Sequence, residues 1–333
     1  MLRAGSHLCL AAILLLGASG VAPAQSAGAA PAQASGGEVA RAKQLYDDGK
    51  YKESISLLDG YLTTHPGDAT ALVTRGDDYQ ALGSQESAIA DYTAALAINA
   101  DYAYAWASRC DSYLSIRQSQ KALADCDKAI GLDPGMGYAY RLRALLELDA
   151  DDAQSALTDV NHALMIDPHS PAALTTRCHT YLVLLEYPEA IADCNAALAI
   201  DPNRDVAYFY RGETEIKLSD WDRATADFTR ALALAPDEAN ADYWLAVANL
   251  NRGAYADALK AIDAYIQSDV DDPDGQLIRA TIEVKLGNAA AARASATTAL
   301  KHYMIGNDRS GAAKAQAILD SLGAPAASPP PGL

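Results

Sequence analysis

The chain has 333 residues, half of them hydrophobic, enough for a sizeable core in one domain or a continuous array. Its net charge of −17 excludes the basic stripe that nucleic-acid binding requires and disfavours anionic membrane surfaces.

The first 24 residues have three parts: a short start carrying Arg3, an apolar run from Leu8 to Leu16, and small residues at Ala22 and Ala24. The run is too short to span a bilayer comfortably, and the layout predicts a secretory signal peptide cleaved after Ala24. No cysteine follows the small residues, and Cys9 lies inside the apolar run, so no lipid anchor is expected. Residues 25–34 read as a flexible leader of Ala, Gly, Ser, Gln and Pro. The expected location is the periplasm or the extracellular space, with no membrane insertion once the signal is removed.

From Ser35 the chain repeats every 34 residues without insertion or deletion. The eight blocks begin at Ser35, Ala69, Ala103, Gly137, Pro171, Asp205, Ala239 and Pro273. Counting places within a block, place 8 is small throughout. Place 20 is Ser54 and then alanine in every later block, and place 32 is proline in five. Two runs of helical periodicity meet at a break near places 15 to 17, where Gly49, Gly83, Gly253 and Gly287 sit. The proline stops the second run. One such hairpin cannot bury its apolar face alone, so stacking on neighbours is obligatory.

This pattern resembles the tetratricopeptide repeat over residues 35–306. The resemblance implies an all-α fold, a right-handed α-solenoid superhelix of eight helix-turn-helix repeats with a concave groove. A capping helix is expected at residues 307–322, followed by a disordered tail at 323–333. The sequence departs from the family at place 7, where the usual leucine is mostly arginine.

Four cysteines stand at places 8 and 24 of blocks three and five. Each is eight residues from its turn, so within a hairpin the two lie at equal height on facing helices. The frame predicts disulfides Cys110–Cys126 and Cys178–Cys194, each worth about 3 kcal/mol for a loop of this length. An exported protein meets the oxidising compartment that such bonds need. The alternatives are four buried thiols, or a zinc site, which the full repeat between the pairs disfavours.

The arginines Arg75, Arg109, Arg143, Arg177 and Arg211 at place 7 have counterparts at place 23: Asp91, Asp125, Asp159, Asp193 and Asp227. They are near-level across the hairpin and read as a repeated structural ion pair, within a repeat or between neighbours. An arginine ladder for anions is the functional alternative.

There is no phosphate-binding loop, dinucleotide fingerprint, nucleophile elbow or zinc-protease motif. None of the histidines after the signal makes a helical i, i+4 pair, and the acidic residues spread along solvent faces. No enzyme, metal or cofactor is therefore expected. His179 beside Cys178 does not make a nucleophile pair, since adjacent helical residues point apart and Cys178 is assigned to Cys194.

By resemblance, places 2, 5, 9, 12 and 13 line the groove. They supply Tyr104 and Asp111 in block three, Tyr138 and Arg141 in block four, and Thr175 and His179 in block five. Block six adds Phe209, Glu213 and Lys217; block seven adds Tyr243 and Asn251. Tyrosines with mixed polar neighbours suit a peptide or an unfolded segment. The lysine-and-asparagine clamp that some relatives use for acidic C-termini is absent: places 5 and 9 read Val73 and Asp77, then Ala107 and Asp111. A basic or mainly apolar segment is the expected ligand. The expected function is a non-catalytic protein–protein interaction module of the cell envelope. The alternative is an assembly scaffold for pili, secretion or outer-membrane biogenesis, working through outer surfaces or self-association.

Overall fold

The computed structural model describes residues 37–236 and 239–323. The expected signal peptide, the leader and residues 324–333 of the tail lie outside them. The described residues form seventeen helices and no strand. They divide into two compact units, up to Pro202 and from Asn203.

The first unit holds α1 (Gly37–Asp47), α2 (Tyr51–Thr64), α3 (Ala69–Ala81), α4 (Gln85–Ile98), α5 (Ala103–Ser115), α6 (Ser119–Leu132), α7 (Gly137–Asp149), α8 (Ala153–Ile166), α9 (Pro171–Val183) and α10 (Tyr187–Ile200). The second holds α11 (Asp205–Lys217), α12 (Trp221–Leu234), α13 (Ala239–Asn251), α14 (Tyr255–Ser268), α15 (Pro273–Leu286), α16 (Ala289–Ile305) and α17 (Arg309–Ser321). Within each unit every odd helix pairs with the even helix after it, and successive odd helices also touch. This is an α-solenoid of stacked hairpins. In the second unit α17 packs on α15 and α16 at the end of the stack.

Each hairpin turns through a residue in the left-handed region. Glycine serves at Gly83 (φ 74°), but Arg117, Asp151, Leu185 and Ser219 take the same conformation at the equivalent place in four repeats. The second helix of a repeat ends on a residue with extended backbone such as Asn99 or Asp167.

The two helices of a hairpin face each other at places 8 and 24; five repeats pair a small residue there with a larger one, two pair cysteines, and the eighth has alanine at both, Ala280 and Ala296. In the second repeat Gly76 faces a fully buried Tyr92; a Cβ on Gly76 would lie 2.6 Å from the ring. Gly212 faces Phe228 in the same way, at 3.0 Å. Small Ala144 goes with Val160, and Ala246 with Ile262, all fully buried. In the third and fifth repeats the same two places hold cysteines, joined as Cys110–Cys126 and Cys178–Cys194 with Cα–Cα distances of 5.5 and 5.4 Å. All four are fully buried. The disulfide takes the volume that a glycine–tyrosine pair fills elsewhere and adds a covalent bond.

The arginines make their aspartate contacts inside a repeat. In Arg143 the Nε donates to Asp159 Oδ2 at 2.6 Å and Nη2 to Oδ1 at 2.9 Å. The same fork joins Arg75 to Asp91, Arg109 to Asp125, Arg177 to Asp193 and Arg211 to Asp227. In the first unit a third nitrogen, Nη1, crosses to place 25 of the preceding repeat. It reaches Asp59 from Arg75, Thr93 from Arg109, Asp127 from Arg143 and Asn161 from Arg177, at 2.7–2.9 Å. Aromatic rings stack on several of the guanidinium groups, Trp106 on Arg109 at 4.8 Å and Tyr208 on Arg211 at 5.4 Å. The arginine therefore ties its own hairpin and the joint to the one before. In the second unit Arg279, whose own repeat has Ser295 at place 23, pairs with Asp263 of the preceding repeat at 2.9 Å.

The two sides of this clamp differ in burial. The Asp159 side chain is 7% exposed and that of Asp127 is 53% exposed. Removing the buried partner strands a half-buried guanidinium, whereas the exposed contact is screened by water. Asp159→Asn is expected to cost about 2–4 kcal/mol and Asp127→Asn less than about 1 kcal/mol, read from urea unfolding by circular dichroism. Equal costs would mean that the buried fork is no stronger than a surface pair. In the same assay Gly76→Ala is expected to cost about 1–3 kcal/mol, because Tyr92 has no free volume into which to retreat.

Candidate functional site

The first helices of the repeats in the first unit carry a strip of tyrosine and aspartate that is linked from repeat to repeat. The Tyr104 hydroxyl of α5 donates to Asp77 Oδ2 of α3 at 3.4 Å. The Tyr138 hydroxyl of α7 donates to Asp111 Oδ2 of α5 at 2.6 Å. Each bond runs from place 2 of one repeat to place 9 of the repeat before. Asp77 also accepts from the buried Tyr92 hydroxyl at 2.7 Å. The Arg141 guanidinium lies 5.4 Å from the Tyr138 ring centre. Tyr104, Asp111, Tyr138 and Arg141 are all half-buried, so the strip is held in place and keeps part of its surface open.

Other expected groove residues are placed differently. Thr175 is 3% exposed, and its hydroxyl turns back on the Pro171 carbonyl at 2.7 Å. Phe209 is buried, edge-on to Phe228 and Tyr210 at 5.7 Å, and Glu213 is buried too. These three belong to the interior, not to an open surface. Burial pushes His179 down to about 4, so its imidazole is neutral at physiological pH. Cys178, being in a disulfide, offers no thiolate beside it.

In the second unit Lys217 is exposed, with its ammonium 5.9 Å from the Trp244 ring centre. Tyr243 is half-buried, edge-on to Tyr265 and Trp244. Asn251 is exposed and its amide donates to the Val247 carbonyl at 2.7 Å.

Sequence reasoning missed a set of buried and half-buried carboxyl groups. Burial pushes Asp77 up to about 7, against the pull of the Tyr92 and Tyr104 hydroxyls and Lys43. Glu147 rises to about 7, first by burial and then by the nearby Asp159, despite Arg143. Glu215 rises to about 8 for the same two reasons, with Asp227 as the neighbouring charge and Arg211 opposing. Asp242 rises to about 6 by burial. For two of the four the frame offered a signal: Glu147 and Glu215 stand at place 11, where Tyr79, Tyr113 and Tyr181 stand in other blocks.

The tetratricopeptide repeat family model matches residues 73–137 and 211–273. The two matched segments carry tetratricopeptide repeats, and the other hairpins share their 34-residue frame and hairpin geometry. Among solved structures, a chain of the APC/C hetero-tetramer Cut9–Hcn1 aligns at 14% identity with a TM-score of 0.71, over 85% of this chain and 55% of that one. This chain thus spans about half the length of that neighbour. PilF of Pseudomonas aeruginosa aligns at 16% identity and a TM-score of 0.57, over 65% of this chain and 96% of its own. PilW, a type IV pilus biogenesis factor, aligns at 23% and 0.57, over 65% and 98%. These likenesses establish a shared fold. No curated protein matches the chain by sequence. Among the described residues no helix is long and apolar enough to cross a membrane.

The raised carboxyl groups set a direction for pH dependence. Each binds its proton more tightly in the native state than in the unfolded chain, where carboxyl groups titrate near 4. Their stabilisation is complete below that value and is lost as pH rises through about 6–8. The urea midpoint is expected to be higher at pH 5 than at pH 8, and Glu215→Gln is expected to flatten that difference. A midpoint that rises with pH would contradict the assignment.

Proposed function

We propose that the chain is a non-catalytic interaction protein of the cell envelope. Its α5–α7 strip would hold an extended segment of a partner protein. The observation that carries this reading is the strip itself: Tyr104 and Tyr138 are fixed by hydrogen bonds to aspartates one repeat away and still keep open surface. A tyrosine already held in one rotamer loses little entropy when a ligand covers it. Asp77 and Asp111 beside the rings, on a chain of net charge −17, favour a segment that is basic or mainly apolar. Two buried disulfides and the signal-like first 24 residues support export into an oxidising compartment.

The second reading is an assembly scaffold for pili, secretion or outer-membrane biogenesis, with outer surfaces as the working faces. The fold shared with PilF and PilW is what favours it.

A photo-crosslinking phenylalanine derivative at Tyr138, in living cells, separates the two, with the exposed Lys128 on α6 as the outer-face position. Groove binding is expected to yield one dominant adduct from position 138, none from 128, and loss of that adduct in Arg141→Glu protein. Adducts from position 128 alone, with the protein folded and exported, would overturn groove binding and favour the scaffold.

A further inference from the structure

We propose that the tip of the fifth repeat, between α9 and α10, docks a partner-protein segment that presents a large apolar residue flanked by lysine or arginine. Place 15 of each repeat turns in the left-handed region, and most of its occupants are glycine or a short polar residue. Glycine serves at Gly49, Gly83, Gly253 and Gly287, with Asp151 and Ser219 in two others. Arg117 (φ 58°) and Leu185 (φ 65°) are the bulky exceptions. They stand in the third and fifth repeats, the two whose hairpins are closed by Cys110–Cys126 and Cys178–Cys194. A covalent bond across a hairpin offsets a strained turn at its tip. The chain therefore places bulk where the backbone disfavours it, in hairpins able to tolerate it.

Leu185 does not serve the core. It is 67% exposed, and Val183 two places before it is 46% exposed. With Leu184 they form a run of three large apolar residues that no other tip carries. A leucine in this position contributes little to the free protein. It stabilises a complex in which its apolar surface leaves water.

The surroundings decide what covers it. The tip before it reads Asp149, Ala150, Asp151 and Asp152, all exposed. Neighbouring tips touch: the Ser119 hydroxyl beside the third tip donates to Asp149 at the fourth, at 3.4 Å. The same two places at the next joint hold Ala153 and Val183, and α9 packs on both α7 and α8. Glu186 follows Leu185 and is exposed as well. An apolar point with an acidic rim selects basic flanks on its partner. It repels both a copy of itself and an anionic membrane. Nothing in this docking point depends on what the α5–α7 strip binds.

A phage-displayed library of random peptides, selected on the disulfide-intact protein and depleted on Leu185→Gly protein, tests this. The surviving sequences are expected to carry a large apolar residue with lysine or arginine beside it. One of them, synthesised, is expected to bind about tenfold more weakly to Leu185→Gly and to the double variant Asp151→Asn/Asp152→Asn. The salt dependence of binding should fall in the double variant, and Glu53→Gln, at an exposed acid on α2, should leave affinity unchanged. Leu185→Gly is also expected to raise the urea midpoint, because glycine takes the turn without strain, so its lost binding is not unfolding. A survivor pool no richer than the depleted one, or one of acidic or uncharged peptides, would overturn the proposal, as would a lowered midpoint in Leu185→Gly. Self-association in sedimentation, or binding to phosphatidylglycerol vesicles, that disappears in Leu185→Gly would overturn it in favour of a second copy or a lipid surface.

Discussion

Everything in this molecule depends on how closely the two helices of a hairpin approach at places 8 and 24. At those places the side chains pair as glycine with tyrosine or phenylalanine in two repeats, alanine with leucine, valine or isoleucine in three, cysteine with cysteine in two, and alanine with alanine in the eighth. Because interiors are packed to crystal-like density, a ring at one place leaves room only for glycine at the other. The disulfides are best understood as one more solution to this volume problem, available only to a chain that folds where thiols are oxidised.

The arginine at place 7 acts on the second level of the structure, the joint between hairpins. Two of its nitrogens are committed to an aspartate in the same repeat, which orients the guanidinium plane. In the first unit the third is thereby aimed at place 25 of the repeat before. Burial makes the inner half of this arrangement costly to disturb and leaves the outer half variable: aspartate, threonine and asparagine all serve as the third partner. Burial also raises Glu147 and Glu215, which stand beside the clamp, because the pull of Arg143 and Arg211 does not offset the desolvation and the neighbouring aspartate. The clamp secures the stack, and the acids beside it make the stack sensitive to pH.

How much of this was legible in the sequence follows from which facts are periodic. The helical hairpins, the cysteine partners and the arginine–aspartate fork all recur in frame, so the frame alone assigns them. The third partner of the arginine escaped because place 25 conserves hydrogen-bonding capacity and not residue type. The buried fate of Thr175, Phe209 and Glu213 escaped for a different reason. A first-helix face in this fold is an open groove or a packed interior depending on the bulk of its local neighbours, and periodicity carries no information about bulk. Phe209 packs edge-on to Phe228 and Tyr210, contacts that its place in the frame does not announce. Tyr104 and Tyr138 also pack on apolar clusters but stay half-buried, with their hydroxyls tied to aspartates of the preceding repeat.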